Sequence, residues 1–461
     1  MPINVRNTFI LPRFDRYLLA LTVLVALFGA MYTVSWSDGS QLATVESLVD
    51  YHTWQIDQSV FTPHTGDKMF IDGHYYSDKP PVPALAMAAL YQLFQWTTGL
   101  KTTQIPGLLA FLMALCFSGT AYVISVFCIN QLSRQLNLPE NIHAPLVASF
   151  AFGSIAMTYS RSCNVHILML AVFAGLFLLL TKSTEPDSEK FTFKQLCLMG
   201  TLLGAGYSID LGVGPVLVIC TVFFLVCRTR SLAGAIIVLG ASFPWFVLHH
   251  ILNYRIGGTF LPANTVPQYF LFPDSTFNPQ NLTGEGWAHQ NLADFLTYSA
   301  GLLVGQQGFI VYNPMLFLAI PVGVAGCWDL KEKRSMVYFS ISLIIGTVLL
   351  YAITSNNYSG RSCSIRWFVP LLVPFYYLLM LALKRFPAAV DLRIFAFWSI
   401  VLGCLLWHNQ PWSLPMVPTL WYVNAAAIIS WLIYRGFCFL FRPTATASDT
   451  KTEAAASSKI L

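Results

Sequence analysis

Apolar segments long enough to cross a bilayer recur along most of the chain, and they constrain its fold more than any other feature. A membrane-spanning helix needs roughly 20 mostly apolar residues. In lipid every backbone polar group must be satisfied internally, which favours helices over open sheets. The alternating pattern of about ten residues that marks barrel strands does not recur. The sequence therefore predicts an all-α, polytopic transmembrane protein with about 11–13 spans.

Composition supports a lipid environment for most of the chain. Hydrophobic residues make up 56% of its 461 residues, and charged residues make up only 10%. Soluble domains carry about 25% charged residues. A water-soluble chain of this length would not hide so much apolar surface.

Twelve apolar segments are the candidate spans. The segment 82–98 is short and begins with Pro-Val-Pro, so a helix lying in the membrane interface is the alternative there. The last block is long enough for two helices, broken near Pro411 and Pro415. Asp210 alone separates the sixth segment from the seventh. The segments lie at about 17–36, 82–98, 104–129, 144–160, 164–181, 195–209, 211–227, 232–252, 309–328, 335–354, 366–383 and 393–434.

The distribution of basic residues orients the chain. With both termini inside, 19 of the 26 lysines and arginines lie on the cytoplasmic face, as the positive-inside rule requires. We expect an integral multi-pass protein of a plasma or inner membrane, with both termini cytoplasmic. Residues 1–443 are expected to form one membrane domain, and residues 444–461 a disordered cytoplasmic tail. The net charge of +5 anchors this topology and does not indicate nucleic acid as a partner.

Two long loops, at about 37–81 and 253–308, face outward in this topology. In the first loop Asp38 directly follows the first span, and Lys79 with two prolines closes the loop. Residues 42–49 between them are expected to lie on an amphipathic helix. A charged and aromatic loop on an apolar scaffold indicates chemistry at a membrane face.

The phrases in these loops resemble those of the GT-C superfamily of polytopic glycosyltransferases, close in style to the protein O-mannosyltransferase and aminoarabinose-transferase families. Many relatives carry Asp-Glu where this chain has Asp38-Gly39. The resemblance covers nearly the whole membrane region. Its phrases are Ser-Asp-Gly-Ser-Gln-Leu-Ala-Thr-Val-Glu-Ser-Leu at 37–48, Gly-His-Tyr-Tyr-Ser-Asp-Lys-Pro-Pro at 73–81, Gly-Gln-Gln-Gly-Phe-Ile-Val-Tyr-Asn-Pro at 305–314, Tyr-Ser-Gly-Arg at 358–361 and Arg-Trp-Phe-Val-Pro at 366–370.

The resemblance implies an inverting hexosyl- or pentosyltransferase. Its donor would be a polyprenyl-phosphate sugar that enters from the bilayer, and its acceptor a lipid, a glycan or a protein on the outer face. Membrane lipids would surround it. Such transfer needs a carboxylate that takes the acceptor's hydroxyl proton. We assign that role to Asp38, against the alternative of a helix-capping aspartate.

The phosphate leaving group needs positive charge. Lys79, Arg361 and Arg366 are the predicted phosphate-binding residues, with lysine as a point charge and arginine as a forked donor. Anchoring to lipid headgroups is the alternative for each.

Three further residues of the first loop are predicted to contact the substrate. His74, with Tyr75 and Tyr76 beside it, precedes Lys79. A structural histidine is the alternative at position 74.

Glu46 is the second candidate acid. It matches an acidic position in the related loops, which implies contact with the acceptor or donor. Asp50 lies four residues further on. A solvated helix face is the alternative for both carboxylates.

No organic cofactor is needed for this chemistry, and no residue set has the convergent spacing of a metal site. A divalent ion held by Asp38 and a second-loop acid such as Asp274 or Glu285 stays an alternative. His166 opens an apolar segment, and we predict that it forms a buried polar contact.

Cys163 and Cys363 each end a similar outward-facing phrase. Two free thiols and a disulfide on an oxidising face are both compatible with the sequence.

A transporter or flippase of a lipid-linked sugar is the alternative function. Transporters place ionisable groups near the bilayer midplane and often show two repeated halves. This chain shows no such repeat, and its polar residues concentrate in the outer loops.

Overall fold

The computed structural model describes residues 11–182, 191–229, 232–277, 287–327, 334–413 and 417–440. Within these ranges the chain is mainly helical, with a single two-stranded sheet. The predicted all-α class is confirmed. The expected tail at 444–461 lies outside the described residues, and the cytoplasmic placement of both termini stays a prediction.

Most helices follow one another with short connections, but two long segments, 51–80 and 258–291, separate α2 from α3 and α11 from α12. A π-helical stretch, Ala114–Gly119, joins α4 to α5 in one continuous helix, and a 3-10 turn, Arg366–Leu371, leads into α15. The helices are α1 (Arg13–Gly29), α2 (Trp36–Asp50), α3 (Pro81–Thr98), α4 (Pro106–Met113), α5 (Thr120–Gln135), α6 (Glu140–Gly153), α7 (Ile155–Tyr159), α8 (Val165–Lys182), α9 (Phe193–Ile209), α10 (Val213–Thr229), α11 (Leu232–Gly257), α12 (Leu292–Val304), α13 (Met315–Cys327), α14 (Arg334–Thr354), α15 (Leu372–Arg385), α16 (Ala389–Asn409) and α17 (Thr419–Leu440).

Seven helical stretches in the described ranges are long and apolar enough to cross a membrane. Three shorter apolar helices, Val165–Thr181, Val213–Arg228 and Leu292–Val304, accompany them. The helix α3 is not among the seven, and the interfacial alternative for 82–98 stays a prediction. The seven are Pro106–Gln135, Glu140–Tyr159, Leu232–Gly257, Arg334–Thr354, Arg366–Arg385, Ala389–Asn409 and Thr419–Leu440.

The first outer loop is folded. The strands β1 (Lys68–Ile71) and β2 (His74–Ser77) pair antiparallel, with Met69 opposite Tyr76. Asp72 and Gly73 both have positive φ, 49° and 90°, which is the backbone of a type I′ hairpin turn. An Asp-Gly pair is typical of such a turn, and it is present in the sequence. The residues around it do not alternate in the way that predicts strands, so no sheet was expected.

The helix α2 corrects two expectations for this loop. The first span was expected to reach residue 36, but α1 ends at Gly29 and α2 begins as a separate helix at Trp36. Ser35 starts the new helix by capping it. Nor is α2 amphipathic: every residue from Asp38 to Ser47 is buried, because α3 and the hairpin cover its outer faces.

The second outer loop is shorter than expected and also structured. The helix α11 runs on to Gly257, and α12 occupies much of the later part of the loop. A small apolar cluster joins the two loops through Met69, Ile71, Ala263 and Phe270. The Asn264 side chain donates to the Asp78 carbonyl oxygen at 3.0 Å. The two loops therefore form one folded cap.

Two expected breaks are present. The block 393–434 forms α16 and α17, separated around Pro411. The turn at Asp210 separates α9 from α10.

The helices α9 and α11 approach each other closely at Gly200 and Gly204. A Cβ atom on Gly200 would lie 2.3 Å from the Val238 carbonyl oxygen and 2.6 Å from Ala241 Cβ. Small residues allow this approach between membrane helices. Gly240, also within α11, has open space where its Cβ would lie.

We predict that Gly200→Ala lowers the thermal unfolding midpoint in detergent. Overpacking costs about 1–3 kcal/mol, which exceeds the gain of roughly 0.5–1 kcal/mol from replacing glycine within a helix. Gly240→Ala is the matched control and is expected to leave the midpoint unchanged or to raise it. Equal shifts in both variants would contradict the close packing at Gly200.

Candidate active site

Asp38 lies in the first turn of α2 and closes a capping box. The Ser35 amide donates to Asp38 Oδ2 at 3.1 Å, and the Asp38 amide donates to Ser35 Oγ at 3.2 Å. The indole of Trp412, between α16 and α17, donates to the same Oδ2 at 3.2 Å. The residue is only 2% exposed. Within the described residues its second oxygen, Oδ1, has no hydrogen-bond partner.

Burial changes the acidity of this carboxyl group. It raises the pKa of Asp38 from 3.8 to about 6, although Ser35, Trp412 and the charge of Arg366 oppose this shift. A higher pKa makes the carboxylate a stronger base. At neutral pH Asp38 is thus mainly ionised and more basic than a surface aspartate.

Arg366 brings positive charge to this carboxylate. It begins the 3-10 turn before α15, and its guanidinium lies 5.4 Å from the centroid of the Trp412 ring. Its amide donates to Ser359 Oγ at 3.2 Å. Its Nε is buried and has no partner among the described residues. The indole of Trp412 therefore contacts both the acid and the cation.

Lys79 lies at the end of the hairpin with its charge already matched. Its Nζ lies 2.7 Å from Asp67 Oδ2 and 3.0 Å from Asp78 Oδ1. Burial disfavours the charged lysine, but the two carboxylates outweigh this and raise the pKa of Lys79. The carboxylate of Asp67 has a lowered pKa because Lys79 and Arg366 outweigh its burial. Lys79 is therefore less available to a phosphate than an unpaired lysine would be.

Arg361 lies in the exposed turn that follows Ser359 and Gly360, whose φ angles are 62° and 73°. It is exposed, whereas Arg366 is half-buried. Of the three predicted phosphate-binding residues, the structure thus brings Arg366 to Asp38 and leaves Arg361 at the surface.

The three predicted substrate-binding residues lie on β2 and take part in the cap. His74 Nδ1 lies 3.4 Å from Asp57 Oδ2. The ring of Tyr75 packs edge-on against Phe272 of the second loop, with centroids 5.6 Å apart. Tyr76 packs against the apolar cluster that joins the loops. Their contact with substrate stays a prediction.

Glu46 lies two turns along α2 from Asp38 and is fully buried. Its Oε2 accepts hydrogen bonds from the Ser59 hydroxyl at 2.5 Å and from the Val60 amide at 3.0 Å. Eight residues of helix place it about 12 Å from Asp38 along the axis. The alternative of a solvated helix face is wrong for Glu46, because the segment around Ser59 folds over the helix. Asp50 likewise accepts hydrogen bonds from Tyr91 and Gln95 of α3.

Several partners of the candidate site were not expected from the sequence. Trp412 is the main one; its only signal was its position beside Pro411, at a break between spans on the same face as Asp38. Asp67 is another, and its signal was its place in the same loop as Lys79. Ser35 could have been recognised, since Ser-x-x-Asp is close to a capping-box pattern.

A small cleft, with a volume of about 10 Å³, lies beside Lys79, between the hairpin, the start of α10 and the end of α11. Its polar lining residues are Ser77 and Lys79 of the first loop, His249 and Asn253 of α11, and Asn264 of the second loop, and apolar residues including Leu211 complete the lining. Among the described residues no three His, Cys, Asp or Glu side chains converge as a metal site would require. Cys163 and Cys363 are both buried and free, so they form no disulfide.

The fold is similar to that of ArnT from Cupriavidus metallidurans, an aminoarabinose transferase with a GT-C fold. The structure of ArnT bound to undecaprenyl phosphate matches with a TM-score of 0.51 and 12% sequence identity, covering 90% of this chain and 75% of ArnT. The apo state matches with a TM-score of 0.51 and 13% identity, covering 90% of this chain and 74% of ArnT. These matches confirm the fold that the sequence resemblance implied.

A weaker match is the Archaeoglobus fulgidus oligosaccharyltransferase in complex with zinc and sulfate. Its TM-score is 0.45 at 10% identity, covering 89% of this chain and 53% of that one. No protein-family model and no curated protein sequence matches this chain.

We predict that Asp38→Asn removes a pH-dependent loss of stability. A carboxyl whose pKa is about 6 when folded, against its ordinary value of 3.8, binds protons more tightly in the folded state. Its ionisation therefore destabilises the folded protein as pH rises from about 4 to about 6, by on the order of 2–3 kcal/mol. The difference between the thermal unfolding midpoints of Asp38→Asn and wild type should be more positive at pH 7.5 than at pH 4.5. A pH-independent difference would contradict the raised pKa.

We predict that Lys79→Met is strongly destabilising, because it leaves the carboxylates of Asp67 and Asp78 without their cation. Breaking a buried ion pair costs about 3–5 kcal/mol. Adding Asp67→Asn should restore part of the lost thermal midpoint. Lys68→Met, in the same hairpin, is the control and should change the midpoint little. A single Lys79→Met variant as stable as wild type would show that the buried pairing is not maintained.

Proposed function

We propose that this chain is a membrane glycosyltransferase that transfers a sugar from a polyprenyl-phosphate donor to a hydroxyl acceptor, with Asp38 as the general base. The observation that carries the proposal is the Asp38 carboxylate itself. One of its oxygens is held by Ser35 and Trp412. The other is buried without a partner in the described structure. A fixed carboxylate with one free oxygen can accept a substrate proton.

The reaction is a single displacement. The acceptor oxygen forms a bond to the anomeric carbon while the bond from that carbon to the phosphate oxygen breaks. Asp38 Oδ1 takes the hydroxyl proton, and the polyprenyl phosphate leaves with the electron pair. Attack opposite the leaving group inverts the anomeric configuration. The raised pKa of Asp38 strengthens the base while leaving it ionised at neutral pH.

Arg366 is the group best placed to stabilise the leaving phosphate. Fixed positive charge that faces developing negative charge lowers the barrier, and a guanidinium offers a forked set of donors. Its Nε is without a partner among the described residues. Lys79 would contribute less to stabilising the leaving phosphate, because its charge is already paired with Asp67 and Asp78. Arg361 is exposed in the turn that follows Gly360 and would contact lipid headgroups.

The fold supports a lipid-linked donor. ArnT, whose fold this chain shares, was solved bound to undecaprenyl phosphate. A polyprenyl chain is apolar and its phosphate is charged, so such a donor needs a site where a membrane helix meets a polar cap. The Asp38 site has that setting. The acceptor would be a lipid, a glycan or a protein on the outer face.

We predict that Asp38→Asn abolishes sugar transfer while donor binding persists. Purified protein in detergent would be given undecaprenyl phosphate carrying a labelled hexose or pentose, with membrane extract as the acceptor. Loss of a general base typically slows a reaction about 10²–10⁴-fold. Asp72→Asn, in the exposed hairpin turn where asparagine tolerates positive φ, is the matched control and should retain wild-type transfer.

Two outcomes would contradict this proposal. Equal transfer by wild type and Asp38→Asn would remove Asp38 from the role of base. No transfer from any donor, together with uptake of one donor into vesicles, would favour a transporter of lipid-linked sugars.

A further inference from the structure

A buried histidine–aspartate pair lies near the cleft, apart from the hydrogen bonds of Asp38. His166 Nδ1 lies 3.0 Å from Asp210 Oδ2, so the predicted buried polar contact of His166 is present. The two residues are 8% and 7% exposed. Asp210 Oδ1 accepts from the Gly212 amide at 2.8 Å, just before α10 begins. Amides at the start of a helix favour an ionised carboxylate.

This pairing fixes the hydrogen of the imidazole. An ionised carboxylate only accepts hydrogen bonds, so Nδ1 of His166 must carry a hydrogen. In the neutral ring Nε2 is then a lone-pair acceptor. Within the described residues Nε2 forms no hydrogen bond, and Asp210 is the one side chain that the ring contacts in this way. The backbone is held as well, because the His166 amide donates to Asn164 Oδ1 at 2.8 Å.

Neighbouring residues link this pair to both Lys79 and Arg366. Leu211, next to Asp210, lines the same cleft as Lys79. The Tyr351 hydroxyl lies 3.5 Å from Asp210 Oδ1. The Tyr351 ring stacks on Trp367, the neighbour of Arg366, with centroids 4.4 Å apart. Lys79 and Arg366 both interact electrostatically with His166.

This position suits a hydrogen-bond acceptor better than a third cation. Like charges repel strongly where water is scarce, so a protonated ring that interacts with both Lys79 and Arg366 is disfavoured. A neutral imidazole with a free Nε2 can instead accept a hydrogen bond from a hydroxyl group. In a sugar phosphate, the ring hydroxyls lie within a few bonds of the phosphate that Arg366 would hold.

We propose that His166 accepts a hydrogen bond at Nε2 from a ring hydroxyl of the donor sugar, and that Asp210 positions the imidazole for this contact. This inference rests on the proposed function and adds a determinant of donor specificity to it. A site built to pair with a hydroxyl discriminates against sugars that lack the hydroxyl, because its polar group is then left unpaired.

The test separates recognition of the sugar from recognition of the phosphate. Two ligands are used: undecaprenyl phosphate alone, and the same lipid carrying the sugar that wild type transfers. His166→Phe should bind the bare lipid as wild type does. Its kcat/KM with the sugar-bearing lipid should fall about 10- to 100-fold, the usual cost of an unpaired polar group. With a donor deoxygenated at the recognised position, wild type and His166→Phe should have similar kcat/KM values.

Three further variants sharpen the interpretation. His166→Gln keeps an acceptor oxygen and should retain part of the activity. Asp210→Asn no longer fixes the tautomer of His166, so its kcat/KM should lie between those of wild type and His166→Phe. His64→Gln, exposed on the first loop, is the control and should match wild type. Should His166→Phe fail to fold, His166→Gln assayed with the deoxygenated donors provides the same comparison.

The possible results distinguish this inference from the proposed function. Equal losses for the bare lipid and the sugar-bearing lipid would place His166 at the phosphate and overturn the inference. Unchanged kcat/KM in His166→Phe would overturn it as well, while leaving the glycosyltransferase assignment intact. Wild type that neither binds undecaprenyl phosphate nor transfers sugar would overturn both.

Discussion

The proposed chemistry of this protein depends on one buried aspartate that is ionised at neutral pH. Moving a carboxylate out of water is costly unless hydrogen bonds and an opposite charge compensate. Asp38 obtains these from three separate parts of the chain: Ser35 at the start of its own helix, Trp412 after α16, and Arg366 before α15. The compensation is partial, since the pKa remains raised. With a pKa of about 6, Asp38 is ionised at neutral pH and still binds a proton more readily than a surface aspartate.

The fold was largely predictable because lipid imposes its own pattern on a sequence. Lengths of apolar sequence marked the helices, and prolines near 411 marked the break between α16 and α17. The cap was less predictable. Whether α2 is amphipathic depends on what covers it, and the hairpin and α3 bury the faces that the sequence alone leaves open. Glu46 shows the difficulty: its buried role is set by Ser59 and Val60, which return to it through a loop.

For the candidate site, residue types were easier to foresee than partners. An aspartate after the first span and an arginine before α15 could be selected because transfer from a phosphate needs a base and a cation. The partner of both, Trp412, is 374 residues away from Asp38 in sequence, and no local pattern reports such a contact. The pairing of Lys79 was also hidden. Its charge suggested phosphate binding, but two carboxylates in the same loop already match it.

The chemistry-bearing residues lie mainly at helix ends, where the membrane scaffold can hold them rigidly. Asp38 is in the first turn of α2, His166 is in the first turn of α8, and Arg366 begins the turn that leads into α15. The first turn of a helix has free amides that favour negative charge, so this position suits Asp38 and does not by itself favour the cation of Arg366. Placing polar groups there lets long apolar helices fix their positions without burying unpaired charge in the bilayer. The close packing of α9 on α11 at Gly200 thus bears on the site, because α9 ends at the turn that holds Asp210.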